Sequence, residues 1–458
     1  MTLGRRNFVM LAGAIGAAAG AARLPAAPRR APASPRRTRP GVSISVRTMG
    51  AVADGITRNT LAFQQALDRC AMLGGGEVVV PAGDYVIGAI AIGPATTLRL
   101  EKGATVTGSP DLADYPIRQV RWEGKFIKGY MGLIHAENAD GIAIAGEGRL
   151  LGNTAIPGRV QRDTGMRNPT LIEFVGCDGV DVGGIVTQQN AMWSIHPLFC
   201  RNVRFHDMVV NGGADGIDVD SCEHVVIERC SFDTHDDCIA IKSGRGEEGN
   251  MIARPTLDVQ ISDCTFLDHR WGCIAIGSET SGGVRGVRVE RCKVLGAGTH
   301  AIYIKSRPGR GAFIEDVTVN DLDVSDTKDG FLRFNFTESG KQDENPVPGL
   351  AGIPTVGNFS FTNIRVHDVP VVVEGWANNP EKPLEGLTLA NISGTAKAGI
   401  RLAYARRVKL SGIHIEGVAG PLLQTHDVTG TGLAGARPLP TPKTPSPVAA
   451  PAAPYRLN

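Results

Sequence analysis

The sequence predicts an all-β protein, a single-domain right-handed parallel β-helix with a short N-terminal capping helix. The first observation is a repeat of the form apolar-x-apolar-x-x-apolar: VDVGGI from 180, VRFHDM from 203, VVIERC from 225, VQISDC from 259, VRVERC from 287, VTVNDL from 317, FSFTNI from 359, LTLANI from 387 and VKLSGI from 408. Successive copies start 21 to 42 residues apart, the period of a solenoid coil with loops inserted into some turns. The second is a further strand in several coils, DGIDVDS from 215, DCIAIKS from 237, GCIAIGS from 272 and HAIYIKS from 300, whose isoleucines alternate as one buried face requires. The third is composition: 58 glycines among 458 residues, with 5% aromatics, suit turn-rich β structure better than helices.

Residues 1–40 carry eight arginines and no acid, leaving 40 basic against 46 acidic residues in the remainder. A mildly acidic body excludes nucleic acid as the expected partner. The opening GRRNFVMLAGAIGAAAGAA pairs Arg5 with Arg6, places Phe8 two positions on, and continues as a short apolar stretch. It resembles a twin-arginine export signal whose apolar stretch is too brief to span a bilayer and stay there; a plain Sec signal or a retained anchor is the alternative. The expected product is exported, to the periplasm or beyond. The spacer before residue 41 and the Pro/Ala-rich tail 426–458 are given no fold.

Residues 59–73, NTLAFQQALDRCAML, form an amphipathic helix ended by Gly74, Gly75 and Gly76, and serve as the plug that an open coil end needs. The β-helix is expected over 41–425. Nine cysteines leave at least one thiol unpaired, and Cys230, Cys264 and Cys292 recur at one point of the repeat as small buried residues would; core packing or disulfides both remain open. Zinc spacing is absent, and no metal or cofactor is expected.

The stretch THDDCIAIKSG, 234–244, sets Asp236 beside Asp237 at the mouth of a buried strand. Stacking DGIDVDS on DCIAIKS puts Asp215 and Asp237 in one column, one strand spacing of about 4.8 Å apart. Strict alternation turns Asp237 inward with Ile239, so the preceding turn must aim this column at solvent. Three carboxylates so close suit glycosidic cleavage with inversion, in which two hold a water and the third, kept protonated, donates to the leaving oxygen. A pair of turn-capping aspartates is the plain alternative.

GAVADGITRNTLAFQQALDRCAMLGGGEVVVPAGDY, WSIHPLFCRNV, ADGIDVDSC, DDCIAIKSG, IGSETSGGV and YIKSRPGRG together resemble glycoside hydrolase family 28, the polygalacturonases and their relatives, from about residue 45 to 330. The resemblance implies a pectic poly- or oligosaccharide substrate and an inverting mechanism without metal. It implies Asp236 as general acid, Asp215 and Asp237 as the water-activating pair, and Lys305 as a substrate ligand. The chain departs from the family pattern at Gly272, where a histidine is usual, at Tyr303, where an arginine is usual, and at Gly213-Ala214, which replace Asn-Thr. His300, one coil beyond Gly272, and Trp271, an apolar sugar platform, are further substrate-binding candidates; a turn histidine and a packing tryptophan are the alternatives. Lys242 shares the column of Lys305 and is assigned charge balance only. The lost histidine and arginine also suit a relative that cleaves rhamnogalacturonan or decorated oligosaccharides. A calcium-dependent lyase and a non-catalytic binder fit the three acids less well.

Overall fold

The computed structural model describes residues 41–268, 270–449 and 455–457, so the expected export signal lies outside the described residues. Among these, 31 strands join one continuous parallel sheet wound as a right-handed β-helix with three faces, and two α-helices accompany it. The first face carries the repeats in register: Val180 pairs with Val203, then Val225, Val259, Val287, Val317, Phe359 and Leu387. The third face stacks Ile217 on Ile239, Ile274 and Ile302. These side chains are all buried and fill the interior.

One backbone conformation explains the repeat. Its fifth residue is left-handed in every copy: Gly184, Asp207, Arg229, Asp263, Arg291, Asp321, Asn363, Asn391 and Gly412 have φ between 52° and 79°. That single residue turns the chain from the first face to the second. The conformation costs an L side chain about 1–2 kcal/mol, less for Asn and Asp, and nothing for Gly, and these three types hold all but two positions. The exceptions, Arg229 and Arg291, reach back to the corner aspartate of the coil before, with Nε at 2.8 Å from Asp207 and 2.9 Å from Asp263. The sixth residue then starts the second face and is small or apolar because it packs inside the corner.

Cysteines collect at the corners, with Cys230, Cys264 and Cys292 at this one, Cys177, Cys200 and Cys222 before the first face, and Cys238 and Cys273 before the third. In-register pairing stacks Cys230 on Cys264 and Cys292, Cys177 on Cys200 and Cys222, and Cys238 on Cys273. All nine cysteines are buried free thiols, so they pack the core and form no disulfide.

Helix Thr60–Met72 caps the first coil, burying Ala62, Phe63, Ala66, Leu67 and Cys70, with the Phe63 ring edge-on to Tyr85 at 5.5 Å. Gly74, at φ +90°, stops it. At the other end the parallel pairing passes the expected limit of 425: strand Leu423–Thr431 is continuous and Arg437–Pro438 pairs with it. Described residues of the remaining tail also make contacts. Val448 accepts a hydrogen bond from the Gly349 amide at 2.8 Å, and the Tyr455 hydroxyl donates to Glu248 at 3.3 Å. Backbone pairing and one aromatic anchor order a segment whose composition alone suggests none.

Candidate active site

Two inserts stand over the third face. Strands Ile117–Trp122 and Lys125–Tyr130 form an antiparallel hairpin closed by Glu123-Gly124, both with positive φ, the two-residue turn that matches strand twist. The hairpin lies across the outward side of the coils before the site, and charge holds it there. Arg167, wholly buried, donates from Nη1 to the Arg121 carbonyl at 2.8 Å and to Glu173 at 2.7 Å. The Arg121 guanidinium, equally buried, faces Asp220 at 3.2 Å and Glu248 at 3.4 Å. Glu248 belongs to helix Gly246–Ile252 in the insert after Lys242, and it also accepts from the Phe126 amide at 3.0 Å. His135 and His196 flank Glu173 at 3.5 and 3.4 Å. Burial pushes Glu173 up, but Arg167 and the two histidines outweigh it and hold it well below the ordinary carboxylate range.

Beyond this wall two adjoining hollows, about 120 and 620 Å³, share Glu123, Arg159, Asp236, Ser278 and Lys305 and make one cleft. Asp215, Asp236 and Asp237 all open into it, so the turn does aim the aspartate column outward. Tyr303, Lys305 and Trp271 line it as well. His300 does not: it is fully buried and its Nε2 is directed at Glu374, 3.6 Å away. Its proposed place at the substrate gives way because a carboxylate two coils further on takes the ring.

Each aspartate has its own cation. Lys242 Nζ is 3.1 Å from Asp215 Oδ2, Lys305 Nζ is 2.9 Å from Asp237 Oδ2, and Arg159 pairs with Asp236. Lys242 also pairs with buried Asp218 and lies over the Trp193 ring at 4.4 Å; that ring stacks on Trp122 at 5.1 Å. The surroundings then separate the carboxyls. Burial pushes Asp215 up, but Lys242 and Arg159 prevail and keep it below its ordinary value. Burial, reinforced by the charge of Asp215, raises Asp236 against the opposition of Arg159. Burial lifts Asp237 to about 6 in spite of Lys305. Asp218 is driven well above its ordinary value by burial and then by Asp215.

Asp215 Oδ1 and Asp237 Oδ1 are buried at the cleft without a hydrogen-bond partner in the protein; the oxygens of Asp218 also lack one, but Asp218 does not line the cleft. Gly272 leaves room in front of Asp237 Oδ1, since a Cβ there would stand 3.7 Å from it. Among the described residues no group of three or more His, Cys, Asp or Glu is arranged to hold a metal ion.

Several members of the site were not legible as such in the sequence. Arg159, Trp122 and Glu123 lie on inserts outside the coil repeat, although RWEGKF, with a two-residue turn between alternating apolar residues, carries a hairpin signal. Lys242 and Asp218 stand in the stacked strands, where column position alone marks them.

The buried network is sensitive to loss of one partner. Glu173→Gln leaves Arg167 charged and underpaired in the interior, and should cost about 3–5 kcal/mol in denaturant unfolding. A change below about 1 kcal/mol would show that the wall does not depend on this ion pair.

The comparisons agree with this architecture. A Vitis vinifera protein named "Probable polygalacturonase" is 27% identical over 408 residues, covering 84% of this chain and 79% of its own. The "Exo-poly-alpha-D-galacturonosidase" of Dickeya chrysanthemi is 25% identical over 412 residues, covering 71% and 67%. The crystal structure of an exopolygalacturonase from Thermotoga maritima shares the fold with a TM-score of 0.69, at 24% identity over 84% of this chain and 94% of the other. The model of glycosyl hydrolases family 28 matches residues 70–365. Built on that β-helix and carrying that family's match over most of its length, the chain belongs to glycosyl hydrolases family 28 and is a glycoside hydrolase.

Proposed function

We propose that this enzyme hydrolyses galacturonosyl linkages of a pectic chain with inversion, working inward from a chain end. The observation that carries the chemistry is the pair of unclaimed oxygens, Asp215 Oδ1 and Asp237 Oδ1, on adjacent coils of one cleft. A water accepted by both is oriented for attack on the anomeric carbon, and one carboxylate takes its proton as the bond forms. Asp236, standing beside the pair, gives its proton to the departing glycosidic oxygen. The bond breaks with one proton gained by the base and one lost by the acid, and the new reducing end has the opposite configuration. Lys242 holds Asp215 ionised, and Lys305 favours the ionised form of Asp237 against its burial. Trp271, half exposed at the cleft, offers an apolar face to a sugar ring, and Tyr303 forms part of the wall.

The chain-end mode rests on the hairpin. His135, Glu173, His196 and Asp220 occupy outward positions that an open groove would leave to solvent, yet all are buried beneath it. The groove is therefore walled on that side of the acids, and a polymer has no lane past them. The Dickeya relative, by its name, acts in this way.

Export in folded form is part of the same reading. Arg5, Arg6 and Phe8 before a short apolar stretch favour the twin-arginine route. Stacked thiols one strand spacing apart lie within the Cα range that disulfides bridge. Nine buried free thiols suit a protein folded under reducing conditions before it meets an oxidising compartment. Among the described residues no helix is long and apolar enough to cross a membrane.

Five outcomes are expected. On polygalacturonate, uniform short saturated products should appear from the first minutes with little loss of viscosity, and Asp236→Asn should lower kcat by about 10²–10⁴ with an unchanged melting temperature. Turnover of rhamnogalacturonan alone would move the substrate elsewhere in the family, and rapid viscosity loss would exclude the chain-end mode. Activity should decline as pH falls below about 6, where Asp237 takes up a proton and no longer accepts one from water. Lys305 favours the ionised carboxylate, so Lys305→Met should move that acidic limb upward; a downward shift contradicts the assignment. Replacing Arg5 and Arg6 by lysine should hold the precursor in the cytoplasm, and normal export would exclude the twin-arginine route.

A further inference from the structure

We propose that Arg159 is the residue that reads the substrate carboxylate, and that by moving to it Arg159 frees Asp236 to act as the acid. The inference rests on the galacturonate reading above. It begins from the three cations of the cleft, which are not equivalent. Lys242, with its side chain 8% exposed, is fixed between Asp215 and Asp218. Lys305, 15% exposed, is committed to Asp237. Both stand on strands of the coil. Arg159 is 35% exposed and comes from the irregular segment between strands Arg149–Leu151 and Ile172–Val175. Among the described residues only its Nη2 has a hydrogen-bond partner, Asp236 Oδ2. A guanidinium with unclaimed donors, open to the cleft, matches a carboxylate by its planar fork.

The position where the family has its arginine offers nothing comparable. Tyr303 is 9% exposed, and its hydroxyl lies 3.3 Å from Asn335 Nδ2 and 3.4 Å from Ser339 Oγ. The loop thus supplies the charge that the strand lacks.

The pairing in the free enzyme also presents a conflict that an anionic substrate resolves. An acid must hold its proton until the bond breaks, whereas a guanidinium on Asp236 favours the ionised form. A sugar carboxylate that draws Arg159 away leaves Asp236 with burial and the charge of Asp215, both of which favour the proton. Asp236 then takes that proton from solvent and passes it to the leaving oxygen. The other charged groups facing it are Asp237 on its own turn, Lys305 on the next coils and Glu123 on the hairpin; Lys242, Glu279 and Glu338 line the same cleft and exposed His235 precedes it. The segment itself need not move. Asn168 Nδ2 donates to the carbonyls of Pro157 and Gly158 at 3.1 and 3.0 Å, so the backbone is held and the side chain does the switching.

The test is steady-state kinetics of the full-length protein, Arg159→Gln and Arg159→Lys on oligogalacturonate across pH. In the wild type the basic limb of kcat, which reports the bound enzyme, should lie about one pH unit above that of kcat/KM, which reports the free enzyme. In Arg159→Gln the KM should rise about tenfold or more, and the two limbs should coincide at the higher pH. Arg159→Lys should recover part of the KM. A purely structural role for Arg159 would not merge the limbs. A wild type whose limbs already coincide, or a Gln variant with unchanged KM, overturns the proposal while leaving the substrate reading intact. A wild type that does not turn over oligogalacturonate overturns both.

Discussion

In a parallel coil every residue stands beside its counterpart one turn on, about 4.8 Å away, so a charge repeated at one strand position must be neutralised or answered by a cation. That constraint organises this molecule. Asp215 and Asp237 share one such position and Asp236 adjoins them, and the answer is one cation for each: Lys242, Lys305 and Arg159. Asp218, three residues further along the same coil and fully buried, shares Lys242 and is pushed toward its neutral form. The cluster is tolerable because its charge is compensated, and it is useful because the compensation is uneven. Asp215 is held ionised while Asp236 is raised, the separation that base and acid roles require, and Asp237, lifted to about 6, joins Asp215 as a proton acceptor only above that pH.

The same logic extends along the outward side of the third face. Glu173, His196 and Asp220 would form a polar strip open to water in a bare coil. Here the hairpin covers the strip, and Arg121 and Arg167 enter with it to meet the buried carboxylates. Breaking such a pair is expensive because it strands a charge in the interior. The covering insert is therefore fixed rather than a loose flap. Its position decides how a polymer can approach the acids, and its tip brings Trp122 and Glu123 to the cleft. The segment carrying Arg159 lies against the same wall through Arg167, which joins hairpin, segment and coil.

What the sequence made legible follows from periodicity. The repeat exposed the coil because its fifth residue makes the corner, and the isoleucine alternation gave the register that stacks Asp215 on Asp237. Lys305 and Tyr303 were readable only by comparison with the family pattern, the first as a match and the second as a departure. Side chains delivered by inserts were not, because Arg159 and Trp122 belong to no repeat, and only the three-dimensional path of the chain brings them near. His300 stands in the expected column, yet a column does not say which way a ring turns when Glu374 is within reach. In the described part of the tail, Pro/Ala-rich composition predicts weak local structure, while a sheet edge holds Arg437–Pro438 and Glu248 holds Tyr455 from outside.

The central claim is that two aspartates on adjacent coils hold the attacking water while a third protonates the leaving oxygen. Proton NMR of the products in the first seconds of turnover on oligogalacturonate tests this most directly, because the water attacks from the face opposite the departing sugar. The account predicts that the new reducing end appears with the anomeric configuration opposite to that of the bond cleaved, and equilibrates only later. Products born with the original configuration would mean a covalent intermediate on one of these carboxylates, and would contradict it.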